Sequence, residues 1–191
     1  MSSIKLESNA SGSGVFTIAS PNSNTNRTLT LPDNTGTILT SATTTGFPAG
    51  SVIQVVNATY GTQVSTTSGA AWTDVFSASI TPTSSSSKIL VLCSANGCHK
   101  SAADTNLGLR VIRGTSTIVI KIDGLIPYTG SAVFASATAS TSYLDSPATT
   151  SAITYKLQFI NMLATGTVYV NTYSGNAGDS VSTLTLMEIA A

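Results

Sequence analysis

Three side chains in one short stretch could do chemistry. Cys93, Cys98 and His99 are the two cysteines and the one histidine of a 191-residue chain. Thiolate and imidazole are the donors of structural zinc sites, which gather four ligands in closely spaced pairs. Here the spacing is C-x4-C with the histidine next in line, and no second pair follows. Asp104 is available as a fourth ligand, but no pattern demands it. The plainer reading makes Cys93 a small apolar core residue on a strand, with Cys98 and His99 in a turn region over Ala95–Lys100. A local disulfide at a hairpin end is conceivable but not predicted. Around a threefold axis one histidine becomes three, which keeps His99 of interest.

Other chemistries find less. Nucleophilic catalysis needs a Ser or Cys beside a His that a carboxylate orients, and no G-x-S-x-G elbow is present. Glycan hydrolysis needs two carboxyls held across a cleft. The eight acids stand singly along the chain, mostly beside Gly, Asn, Ser or Thr, and read as turn residues. Gly12 and Gly14 lie in a Ser-Gly turn with no helix after it, so no phosphate cradle forms. Sugar stacking has Trp72, Tyr128, Tyr143, Tyr169 and Tyr173 as its candidates, although a tryptophan at a strand start more often packs a sandwich edge. The expectation is therefore no enzyme, no catalytic residue, no metal and no cofactor.

Composition narrows the partners. Eight basic and eight acidic side chains give zero net charge, and charged residues are only 8% of the chain, against about 25% in ordinary soluble domains. Such a chain has no basic excess to hold a phosphate backbone or a membrane surface. No apolar run of about 18 residues marks a transmembrane helix, and Met1–Ala10 lacks the apolar stretch of a secretory signal. Serine and threonine are abundant instead, at 29 and 31 residues.

The elements that must position these residues are strands. Thr, Val, Ile, Tyr and Phe fill the semi-apolar stretches, and the residues that cover exposed helix faces are scarce. Residues 1–40 show very short alternating strands around Ile4 and Leu6, Phe16 and Ile18, Leu29 and Leu31, and Ile38. Each offers one or two apolar side chains, too few for a segment of this length to fold alone. Three copies packed on an axis could share a core, so a trimeric β-prism-like segment is expected. Residues 41–50 read as a linker. Residues 51–191 carry longer strands at jelly-roll spacing, among them Ser51–Asn57, Thr73–Thr81, Lys88–Ala95, Asn106–Arg113, Ile153–Ile160 and Ser182–Ile189. The fold class is all-β, with the sandwich as its main domain. Some strands are apolar on both faces, which favours an oligomer. Leu90, Leu92, Ile112, Tyr169, Tyr173 and Met187 are the trimer-interface candidates of this domain; Ile4, Leu6, Phe16, Ile18, Leu29, Leu31 and Ile38 are the docking or trimer-core candidates of the first segment.

Several motifs carry a resemblance. Ile4-Lys-Leu-Glu-Ser8, Gly14-Val-Phe-Thr-Ile18 and Arg27-Thr-Leu-Thr-Leu-Pro-Asp-Asn-Thr-Gly-Thr-Ile-Leu39 resemble the short strand repeats of tailed-phage virion proteins, especially those of cyanophages and other marine phages. Gly50-Ser-Val-Ile-Gln-Val-Val56, Ser87-Lys-Ile-Leu-Val-Leu92 and Ser182-Thr-Leu-Thr-Leu-Met-Glu-Ile189 are similar to a jelly-roll domain of the same proteins. The resemblance covers nearly the whole chain. It implies a homotrimeric virion surface protein, made in the host cytoplasm, with no transferred catalytic residue. The strand pattern starts near residue 3 and leaves no room for a tail-attachment domain. The expected role is a capsid cement protein whose partner is the major capsid protein. The alternative is a tail-fibre or spike component that recognises host surface glycans.

Overall fold

The computed structural model describes residues 47–126, 135–163, 165–173, 176–177 and 180–191, with scattered positions before residue 36. Ile4, Leu6, Phe16, Ile18, Leu29, Leu31, Ile38 and the expected prism-like strands lie outside the described residues, as does Tyr128. The chain divides into two compact units, Met1–Gly36 and Thr37–Ala191, and every described strand belongs to the second.

Where branched apolar residues alternate with Ser and Thr the strand has a dry face and a wet one, whereas Leu107–Arg113 and Ile153–Asn161 are buried on both faces for much of their length. The strands are β1 (Val52–Tyr60), β2 (Val64–Thr66), β3 (Thr73–Ile80), β4 (Lys88–Lys100), β5 (Leu107–Arg113), β6 (Thr117–Ile126), β7 (Ala135–Asp145), β8 (Ile153–Asn161), β9 (Val168–Val170), β10 (Thr172–Tyr173), β11 (Asn176–Ala177) and β12 (Ser182–Ile189). The larger sheet runs β1-β12-β4-β9-β2, with β7 on the other edge of β4. The smaller runs β3-β8-β5-β6, and β10 pairs β11. All pairs are antiparallel. The core lies between the sheets: Ile89, Val91, Leu184 and Leu186 from one, Leu109, Val111, Leu157 and Phe159 from the other. This is an all-β, jelly-roll-like sandwich. Strand β12 has the bounds that its alternation predicts, and its residues are buried and half-buried by turns.

Strand β4 departs from the expectation. The Asn-Gly pair that reads as a turn is a bulge, with a register shift between Ala95 and Cys98, and the strand continues to Lys100. Gly97 has φ +55°, and a Cβ there would lie 2.6 Å from the Thr172 nitrogen. Only glycine meets both demands. Side chains replace the ladder bonds lost at the bulge. Asn96 N–H donates to Ser182 Oγ (2.9 Å), Ser182 Oγ to Asn171 Oδ1 (2.5 Å), and Asn171 N–H to the Asn96 carbonyl (3.0 Å). Cys98 and His99 are therefore strand residues. Strand β6 likewise runs through Asp123-Gly124, a pair with the chemistry of a turn; Gly124 has φ +69°, and the β5–β6 register shifts between Leu107 and Leu109.

Among the described residues four acids, Asp74, Asp123, Asp145 and Glu188, lie in strands instead of turns, and the last two are buried. Asp145 accepts from Arg113 Nη1 at both oxygens (2.8 and 2.7 Å), from Tyr155 Oη (2.7 Å) and from Ser146 N–H. It ties the end of β7 in one sheet to β5 and β8 in the other. Burial, then the Asp145 carboxylate beside it, pushes the Tyr155 hydroxyl up. Glu188 is fully buried; it accepts from Gln54 Nε2 (2.6 Å) and from the N–H and Oγ1 of Thr83 (both 2.7 Å). Burial alone would raise its carboxyl, but the donors Gln54, Thr83 and Ser87 more than offset that and hold it below 4.5.

Asp145→Ala should cost about 3 kcal/mol in urea unfolding, the lower end for a broken buried pair, because Arg113 keeps 24% of its side chain exposed. Glu188 has a depressed folded pKa, so its contribution is present above its unfolded value and is lost as pH falls through the folded one. Glu188→Gln should remove that part of the acid limb in a stability–pH series.

Candidate functional site

Because side chains alternate, the residues opposite the core form the outer face of the larger sheet. Cross-strand register sorts them into rows over β1, β12, β4 and β7. One row is Val55, Met187, Leu90 and Leu144. The next is Asn57, Thr185, Leu92 and Ser142, and then Thr59, Thr183, Ser94 and Ser140. Val52, Ile189 and Lys88 flank the apolar row on its other side. Lys88 is the one charged side chain in these four rows. The hydroxyl rows border a shallow trough of about 480 Å³ lined by Leu92, Ser94, Ser140, Ser142, Thr183 and Thr185.

The outer face of the smaller sheet differs in chemistry. Asp74, Gln158, Arg110 and Lys121 form one row across β3, β8, β5 and β6. Lys156 Nζ donates to Asp74 (2.9 Å), Gln158 Nε2 also donates to Asp74, and Arg110 Nε donates to Gln158 (2.7 Å). Gln158 first, then Lys156, lowers the Asp74 carboxyl against its partial burial. The Arg110 guanidinium stacks 4.3 Å above the Trp72 ring, so a face that could stack on a sugar holds a cation instead.

Of the interface candidates, the structure gathers Leu90, Leu92 and Met187 on the uncharged face, each half-buried. Ile112 pairs with Lys156 on the other sheet and is only 2% exposed, so one protomer offers no surface there. Tyr169 stacks on His99 with ring centroids 4.3 Å apart and planes 1° from parallel. Tyr173 ends β10, and its side chain lies outside the described residues. Val55 and Leu144 were missed by sequence reasoning. Parity along β1 and β7 is the signal that finds them, once register is known.

The cysteine–histidine stretch faces inward. Cys93 and Cys98 are buried, unbridged thiols, and burial pushes each up to about 12, with Cys93 adding to the effect on Cys98. Burial lowers the His99 imidazole, and a backbone hydrogen bond with Thr172 opposes this. The fully buried Lys100 ammonium donates to the carbonyls of Ala103 (3.1 Å) and Thr105 (3.3 Å). Among the described residues no three His, Cys, Asp or Glu side chains cluster as a metal site.

No protein-family model matches this chain, and no curated protein does. Among solved structures it is similar to the infectious bursal disease virus VP2 subviral particle, at 19% identity over 72% of this chain and 38% of that chain, with TM-score 0.40. It is also similar to the structure of the infectious bursal disease virus Gx strain, at 18% identity over 73% and 37%, with TM-score 0.34. The chain thus spans little more than a third of either structure's length.

A thiol at about 12 holds almost no thiolate near neutrality. Neither cysteine should react with an aromatic disulfide reagent in the folded protein, and both should react in denaturant; thiol titration reads the difference. Trp72 is the sole tryptophan, so its fluorescence reports the surroundings of that one ring. Arg110→Ala should shift its emission to the red and cost about 1 kcal/mol.

Proposed function

We propose that this chain is a structural protein of a tailed-phage virion, a homotrimeric cement protein that binds between major capsid subunits and stabilises the head. The observation that carries the reading is the contrast between the two sheet faces. One carries a charged, internally paired row; the other is uncharged except at its rim and sets apolar side chains in water. A face of that kind is made for contact, not for catalysis or for steering a charged ligand. The phage assignment comes from the strand motifs and their order along the chain.

In this reading residues 1–40 are the docking foot, 41–50 the linker and 51–191 the outward knob on the virion surface. The mechanism is passive. Apolar and main-chain contacts bridge neighbouring capsid subunits and resist the pressure of packaged DNA. Neither a cofactor nor a catalytic group takes part, and the partners are further copies of the chain and the capsid protein.

Quantitative mass spectrometry of purified particles tests the role. A copy number in fixed proportion to the major capsid protein supports cement. A copy number matching the tail would overturn it in favour of the receptor-binding fibre, whose partner is a host surface glycan.

A further inference from the structure

Asn96-Gly97 is the single Asn-Gly pair of the chain. In such a pair the glycine nitrogen can attack the asparagine amide carbon, because no side chain hinders its approach. The fold nevertheless needs both residues. Position 97 must be glycine: φ is +55°, and a Cβ would lie 2.6 Å from the Thr172 nitrogen and 2.7 Å from both Cβ and Oγ of Ser180. Position 96 uses its amide, since Asn96 Nδ2 donates to the Val181 carbonyl (2.6 Å) while the main chain bonds Ser182 and Asn171. The point where β4 passes from β12 to β9 is thus built from a chemically labile dipeptide.

We infer that Asn96 is a modification site, at which the side-chain amide is lost to solvent and which the bulge holds closed. The step needs no reagent but water. The Gly97 nitrogen bonds to Asn96 Cγ and gives up its proton. The Cγ–Nδ2 bond breaks, and Nδ2 takes that proton and leaves as ammonia. Water then opens the cyclic imide at either carbonyl. One route leaves aspartate; the other leaves its isomer, in which the main chain runs through Cγ. Nothing is oxidised or reduced.

The folded geometry opposes this step. The departing nitrogen needs a proton, yet Nδ2 faces a carbonyl, which accepts and does not donate. Charge growing on the amide oxygen needs a donor, and Ser94 Oγ stands 3.4 Å from Oδ1, beyond a normal contact between oxygens. The N–H and C=O of Asn96 are both held, by Ser182 Oγ at 2.9 Å and Asn171 N–H at 3.0 Å. Ring closure therefore waits for a local opening that gives up three hydrogen bonds. A converted residue does not restore the joint. A carboxylate has no hydrogen for the Val181 carbonyl. The isomer lengthens the main chain between Ala95 and Cys98, where the register is set, just before His99 and Lys100 meet β9.

The test incubates the full chain at mildly alkaline pH in buffer, in urea too dilute to unfold it, and in urea that does unfold it. Mass spectrometry then reads the tryptic peptide 89–100, in which Asn96 is the sole asparagine. Conversion should be on the order of a hundredfold slower in buffer than in the unfolded chain. In dilute urea it should accelerate before circular dichroism reports any loss of the sandwich. Ser182→Ala removes the acceptor of Asn96 N–H and the donor to Asn171 Oδ1. Where circular dichroism shows it folded, it should convert about tenfold faster than the wild type in buffer; were it unfolded, the urea series on the wild type decides. Protein enriched in the converted form should have a lower urea midpoint. An Asn96 that stays intact in the unfolded chain would overturn the site. Equal rates folded and unfolded, acceleration only on global unfolding, or an unchanged rate in folded Ser182→Ala would overturn the bulge as its gate.

Discussion

The larger sheet depends on one strand having three partners. Strand β4 pairs β7 along one edge, and along the other it pairs first β12 and then β9. The handover falls at the bulge, between Lys88–Ser94, which face β12, and His99–Lys100, which face β9. The bulge at Asn96–Gly97 turns the strand, and Asn96, Asn171 and Ser182 satisfy the main-chain groups that the turn leaves unpaired. Asn171 itself sits at φ +64°, a conformation its short polar side chain tolerates. Both the buried thiols and the outer apolar row get their positions from this strand.

The two buried acids do for the sandwich what the bulge does for the sheet. Asp145 fixes the end of β7 against the opposite sheet, through an arginine and a tyrosine on neighbouring strands. Glu188 holds the Thr81–Ser87 connection against β12, with Gln54 of β1 donating both to its carboxylate and to the Thr81 carbonyl. Each carboxylate has several donors, so its desolvation is offset and its removal would strand them. Among the described residues most charges thus serve these joints or the outer face of the smaller sheet.

Local alternation made much of this legible. Ser182–Ile189 reads as a strand, and its burial alternates residue by residue; Thr73–Thr81 reads as one too, but a register shift between Asp74 and Phe76 breaks its parity. What failed was punctuation. Asn96-Gly97 and Asp123-Gly124 carry the chemistry of turns, and only the neighbouring strands decide that each is a bulge. The same limit hid the roles of Asp145 and Glu188, whose donors lie far away in sequence. Ile112 shows it from the other side: a strand apolar on both faces reads as an interface, yet Ile112 is buried within a single protomer. Leu90, Leu92 and Met187 read alike and do reach the surface, and nothing in one strand distinguishes the two cases.

The uncharged outer face has a consequence for the medium around the protein. Contacts between charges weaken as dissolved ions gather around them, over a distance of about 8 Å at physiological ionic strength. A contact made of methyl groups and hydroxyls offers those ions nothing to screen. A contact made through the Val55–Leu144 row would therefore not weaken in brine, and salts excluded from protein surfaces would tighten it.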